Sequence, residues 1–144
     1  MLFKRTSRDN PEVAYIVVKN VSGSTMTAGY SCVFDVETNV DGVSVSQADA
    51  ADLQAFAGVV DADIANGAFG LAQVYGFRSS AYIYSSAGSS AAGDILTVVA
   101  NEWGLTPATT SGSAKAFGFL AEAISASASS SQYHTTASVF VRAL

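Results

Sequence analysis

The chain has 144 residues, of which 49% are hydrophobic and only 13% charged, with a formal net charge of −5. An ordinary soluble domain carries about 25% charged residues, so this surface lacks the usual ionic coat: either Ser, Thr, Ala and Gly supply its polarity or another molecule covers it. One domain able to bury a core is expected at this length, and a lone cysteine, Cys32, excludes an intrachain disulfide.

Residues 1–11 read as an extended N-terminal arm, and residues 12–144 as a single β-domain. Leu2 and Phe3 are apolar, Lys4, Arg5 and Arg8 follow, and Pro11 biases Asn10 towards extended geometry. Such a segment is either a free tail or an arm that docks on a neighbour, with Leu2 and Phe3 as anchors and the basic residues meeting an acidic surface. Beyond it, four cations face eleven acids from Glu12 to Glu122, which leaves the body at −7. That balance repels phosphate, and no aromatic-basic stripe appears, so nucleic acid is not an expected partner. The first residues lack the apolar stretch of a secretory signal, and no run reaches the roughly 18 apolar residues of a membrane helix. The expectation is a soluble chain made in the cytoplasm, with no membrane partner.

The first strand is predicted over 13–19. Val13, Tyr15 and Val17 share one face and Ala14, Ile16 and Val18 the other, so it belongs at a central position or one covered on both sides. Asn20-Val21-Ser22-Gly23-Ser24 is turn chemistry. A second strand over 30–36 holds Cys32, expected to be a buried thiol rather than a nucleophile. Asp41-Gly42 signals a hairpin, with Val43 and Val45 alternating after it. Residues 46–54 are a helix start capped by Ser46, or a loop. Strands follow over 56–60, 69–77, 81–84, 95–100, 117–124 and 137–143. Over 117–124 the spacing of Ala114, Phe117, Ala121 and Ile124 suits a helix, but Gly118 and its β-prone neighbours favour a strand. The Ser/Gly/Ala stretches 85–92, 106–113 and 125–131 suit exposed loop tips.

One phrase recurs along the chain: Thr27-Ala28-Gly29, Ala65-Asn66-Gly67 and Ala91-Ala92-Gly93 each precede a β-prone run. Small or polar residues ending in Gly before such a run read as a turn that launches a strand. These launches predict an all-β fold, a small antiparallel β-barrel or sandwich.

Catalytic signatures are missing. His134 is the only histidine, and one Cys with one His cannot make a zinc centre. No phosphate loop, nucleophile elbow or calcium-loop pattern occurs. Asp61 and Asp63 form the best carboxylate pair, suited to a metal or to acid-base work, but they read more simply as a polar turn between strands. Tyr82 and Tyr84 share a strand face, an arrangement used in carbohydrate platforms and protein contacts alike, and Trp103 is the only tryptophan. The expectation is a protein with no catalytic residues, no metal and no cofactor.

The order of certain phrases carries a resemblance. Residues 15–24 lead to Ala28-Gly29; Phe56-Ala57-Gly58-Val59-Val60 follows, then 63–70 with Gln73-Val74-Tyr75-Gly76, then Ala91-Ala92-Gly93-Asp94, and last Gly118-Phe119-Leu120-Ala121-Glu122-Ala123. This series, covering nearly all of the chain from Tyr15 onward, is similar to capsid decoration (cement) and related head proteins of tailed phages, which have a small β-barrel called a β-tulip. The resemblance implies a non-enzymatic protein of the virion, on the capsid exterior, with the major capsid protein as partner. It also implies a homo-oligomer, since lambda-type members sit as trimers with the N-terminal segment touching the shell. Leu2, Phe3, Lys4, Arg5 and Arg8 are the capsid-contact residues this implies here. The rival readings are another phage module (tail, head-completion or fibre) and a carbohydrate-binding β-domain using Tyr82, Tyr84 and Trp103.

Overall fold

The computed structural model describes residues 2–4, 12–85, 88–108, 115–125 and 133–143. Ten strands run in chain order: β1 Leu2–Lys4, β2 Val13–Asn20, β3 Ser31–Phe34, β4 Ser44–Ser46, β5 Phe56–Val60, β6 Phe69–Ser85, β7 Ile95–Val98, β8 Leu105–Pro107, β9 Gly118–Leu120 and β10 Tyr133–Arg142. No helix occurs among the described residues, so the fold is all-β as expected.

The organising element is β6, at 17 residues some three times the usual strand length of about 5–6 residues. Its first half pairs with β2 on one side and β5 on the other, and its second half with β10 and β8. The sheet order β2-β4-β3-β5-β6 is closed by the β2–β6 pairing, and β6-β10-β9-β7-β8 by the β6–β8 pairing. Two five-stranded rings therefore share one long strand. Most pairings are antiparallel, but β2–β4 and β6–β8 are parallel, a feature that hairpin signals in the sequence do not reveal. β1 lies antiparallel against the start of β2, with Leu2 opposite Tyr15. Arg5 and Arg8 lie outside the described residues.

Each ring encloses apolar side chains. Val18, Cys32, Val45, Ala57, Val60 and Ala72 cluster in the first with Met26 and Ile64. Ala81, Ile83, Leu96, Leu105, Leu120, Val139 and Val141 cluster in the second, and Val33, Phe56 and Val59 join them from β3 and β5. Burying one such side chain contributes about 1.5–3 kcal/mol, so the long strand that lines both rings ties their stability together.

The recurring Gly phrase makes the same turn each time. Tyr30 N–H donates to the Thr27 carbonyl at 3.1 Å, Ala68 to Ala65 at 3.0 Å and Asp94 to Ala91 at 3.2 Å. Gly29, Gly67 and Gly93 have φ of 91°, 79° and 94°, the position of a type II turn that needs glycine. Residue 26 bridges residue 64 just before two of these turns, and Ser90 bridges Ile124 before the third.

Several expected elements differ in the structure. Residues 69–77 and 81–84 are one strand, β6. Residues 46–54 are not a helix beyond β4: the Asp52 carboxylate accepts the Asp49 N–H at 2.7 Å and Asp49 accepts Ala51 N–H at 2.7 Å, an open turn rather than a helical one. The expected strand 117–124 shrinks to Gly118–Leu120, with Ile124 returning in the isolated bridge.

Candidate functional site

Strand pairing places a row of apolar side chains on the outer face of the rings. Side chains directly opposite each other in a sheet share a face. Val17 is opposite Leu71, Lys19 opposite Phe69, Phe77 opposite Phe140, Phe119 opposite Phe140, and Ile95 opposite Phe119. Along β6, alternation adds Tyr75. Val17 (54% exposed), Phe69 (65%), Leu71, Tyr75, Phe77 and Phe119 make up six of the eight exposed large hydrophobic residues among those described. The Phe119 and Phe140 rings stack at 5.1 Å, and Tyr75 meets Phe140 edge-on at 5.2 Å. This belt runs from β2 over β6, β10 and β9 to β7 and spans both rings. Lys19 Nζ lies 6.0 Å from the Phe69 ring centre, and Arg142 stands opposite Tyr75. β2 is central in the sheet as predicted, but its outer face at Val17 is bare rather than covered.

A rigid loop carries the other two exposed large apolar residues, Val36 and Val40 (77% exposed). The Asp35 carboxylate accepts the backbone N–H groups of Glu37 at 3.1 Å, Thr38 at 2.9 Å and Asn39 at 3.2 Å. Asp41 accepts those of Val43 and Ser44, and the Ser44 hydroxyl. These donors hold the Asp35 carboxyl below its ordinary range, and those at Asp41 lower its pKa to about 2. The valines are thus presented by a fixed backbone.

A second aromatic group joins the rings elsewhere. Trp103 stacks on Tyr30 at 5.1 Å, Tyr30 meets Tyr82 at 5.2 Å, Tyr82 stacks on His134 at 5.3 Å and His134 meets Tyr84 at 5.2 Å. The structure brings the sequence candidates Tyr82, Tyr84 and Trp103 together, with Tyr30 and His134, which spacing alone did not reveal. A sugar platform needs a ring face open to solvent. Here Tyr30 and Tyr82 each meet two ring neighbours and Tyr84 is buried, while His134 stays exposed, so the group ties the segments leading into β3 and β8 to β6 and β10. Burial, ahead of Tyr30 and Glu102, raises the Tyr82 phenol pKa.

The remaining sequence candidates have structural tasks. Asp61 forms an ion pair with Arg78 at 3.3 Å, while Asp63 accepts the Ala28 N–H at 2.8 Å and so braces the first type II turn. The pair is split between two jobs, as its polar-turn reading expects. Cys32 is fully buried, and burial pushes its thiol pKa up to about 12, as expected of an inert core thiol. No group of three or more His, Cys, Asp or Glu side chains suited to a metal occurs among the described residues.

Two five-stranded β-rings built around one shared strand, with an apolar outer belt, define the class of fold. No family model matches the chain, and neither does any curated protein. Among solved structures, the crystal structure of the N base of head fiber gp8.5 from bacteriophage phi29 is similar, with a TM-score of 0.53 and 14% identity over 91% of this chain and 95% of that one. At that identity the likeness is one of fold, and it extends over nearly the whole of both chains.

Proposed function

We propose that this chain is a non-enzymatic structural protein of a phage virion. In this reading it is a decoration (cement) protein that binds the major capsid protein on the outside of the head, as a homotrimer. The observation that carries this reading is the fold shared with a head fiber base across 91% of the chain. The low charge and the bare outer belt add to it, because they suit a body packed among other subunits. A decoration protein repeats a modest contact many times over a shell, so its effect on shell stability comes from multivalency rather than from one tight site. The basic arm, with Leu2, Phe3, Lys4, Arg5 and Arg8, is its contact with an acidic capsid floor.

The neighbour's own description favours one alternative: the base of a head fibre, which also sits on the head but projects from it. Co-sedimentation with empty phage shells tests the shared part of both readings. Binding in stoichiometric, saturable amount is expected, and deleting residues 1–10 should abolish it while the β-domain keeps its circular dichroism. Full-length protein that stays in the supernatant over intact shells refutes the proposal. Electron microscopy of labelled virions separates the two forms, since a decoration protein covers the shell whereas a fibre base marks isolated projections.

A further inference from the structure

We infer that the apolar belt of one copy binds the Val36–Val40 loop of a second copy, forming a head-to-tail contact between identical chains. This deepens the proposed function by naming the surfaces through which the subunits assemble. Three observations lead to it.

The first is extent. The belt crosses five strands about 4.8 Å apart and follows β6 from Phe69 to Phe77, eight residue steps of about 3.3 Å. Exposed large apolar side chains contiguous over that reach mark a contact surface rather than scattered surface residues. The second is inventory. The belt and the loop together hold all eight exposed large hydrophobic residues among those described. Belt-to-belt packing would leave Val36 and Val40 bare, whereas belt-to-loop packing uses members of both sets in one contact. The third is charge. Among the described residues the one ion pair is Arg78 with Asp61, so Lys19 and Arg142, opposite Phe69 and Tyr75 of the belt, form none. Glu37 stands between Val36 and Val40 in the loop. A second copy's loop therefore brings an acid to the belt's cations, whereas a second belt brings further cations.

A contact between two different patches closes into a ring when the rotation permits, and otherwise grows. It also has a signature that self-matching patches lack. Phe69→Asp spoils the belt but keeps the loop, and Val40→Asp does the reverse. Both positions are highly exposed, so neither change disturbs a core. Light scattering at tens of micromolar protein should give wild type a multiple of the single-chain mass, and each variant alone the single-chain mass. An equal mixture of the two should give twice that mass, because the intact belt of Val40→Asp still meets the intact loop of Phe69→Asp. Wild type that stays at the single-chain mass overturns the inference. So does Val40→Asp that assembles like wild type, or a mixture that stays at one chain with both variants folded by circular dichroism. Shell co-sedimentation of the same samples keeps this result apart from the proposed function. Single chains that bind shells refute only the contact, and oligomers that ignore shells refute only the function.

Discussion

Asn20 ends β2 fully buried, and its side chain closes the first ring. Its Nδ2 donates to the Ser24 and Ile64 carbonyls, each at 2.7 Å, and its Oδ1 accepts the Ser22 N–H at 2.9 Å and the Ser22 hydroxyl at 2.8 Å. Asn20→Ala removes all of these bonds. The Ile64 carbonyl keeps the Met26 N–H at 2.9 Å and the exposed Ser24 carbonyl keeps the Ser22 hydroxyl at 3.1 Å, so the uncompensated loss centres on the Ser22 N–H. Four side-chain bonds are lost at about 1 kcal/mol each, partly offset by the partners that remain, so the change should destabilise by roughly 3 kcal/mol. For a domain of this size that lowers the melting temperature by about 9 °C. Asn20→Asp keeps the shape and the acceptor but turns a carboxylate oxygen towards two carbonyls, so at neutral pH it should cost more than Ala. Burial among carbonyl oxygens raises the folded-state pKa of that new acid above its unfolded value. Its protonated form therefore favours the fold, and the penalty should shrink as pH falls through the folded pKa towards about 4. Urea titrations at pH 7 and pH 4.5, followed by circular dichroism, read both effects. An Asn20→Ala protein that melts within 2 °C of the parent, or an Asp variant with no recovery in acid, would refute this account of the ring closure.

Three further substitutions and one labelling experiment probe other parts of the fold. Gly76, at φ 103°, lies where β6 passes between the rings, and a methyl there would overlap the Glu12 carbonyl. Gly76→Ala should cost about 2–3 kcal/mol in a thermal melt, and a loss below 1 kcal/mol would mean this crossing is not as tight as described. The Thr106 hydroxyl is buried with no hydrogen-bond partner, so Thr106→Val should match or exceed the parent's melting temperature, and a drop of several degrees would reveal a partner. Cys32 should resist a thiol reagent at pH 8 until denaturant is added, since burial keeps it protonated; labelling of the native protein within seconds would contradict its place in the first core. Asp41, held at about 2 against an ordinary 3.8, stabilises its loop above the unfolded pKa and loses that contribution as pH falls through the folded one. Parent and Asp41→Asn should therefore converge in stability between pH 4 and pH 2, and parallel curves across that window would show that the loop hydrogen bonds do not persist in solution.

The turns were legible because they are local. A type II turn needs glycine at one position, and the three Gly phrases mark three of them. Asp61, Asp63 and Cys32 were legible too, since an acid beside a turn and a thiol in an apolar strand leave few other uses. The parallel pairings were not legible, because hairpin signals report only neighbours in sequence. β8 escaped notice for a related reason: Leu105–Pro107 is three residues long, and Leu105 meets Ile83 across 22 positions. The belt escaped as well. Its members are ordinary strand residues, and only pairing across β2, β6, β10 and β9 shows that they share an outward face.

The reading of β6 as two strands has a specific cause, and that cause bears on how the belt is held. Tyr75 and Phe77 face outward, whereas Ala81 and Ile83, also at odd positions, are fully buried. A register shift between Ala137 and Val139 in β10, opposite residues 78–81, absorbs an extra residue and reverses the alternation. Before that bulge the odd residues of β6 face outward, apart from the buried Gln73; after it, they fill the second ring. Just ahead of it, the Gln73 amide donates to the carbonyls of Gly76 and Phe77 at 3.1 Å and Tyr75 at 3.3 Å. The sequence alternates in two phases because one strand serves two cores. A slip of one residue would expose Ala81 and Ile83 and bury the belt's aromatics, so the packing of the second ring also fixes the direction in which Tyr75 and Phe77 point. The belt is therefore anchored by both cores through a single continuous strand, and a sideways load on its outer face has to strain both rings before it can move either.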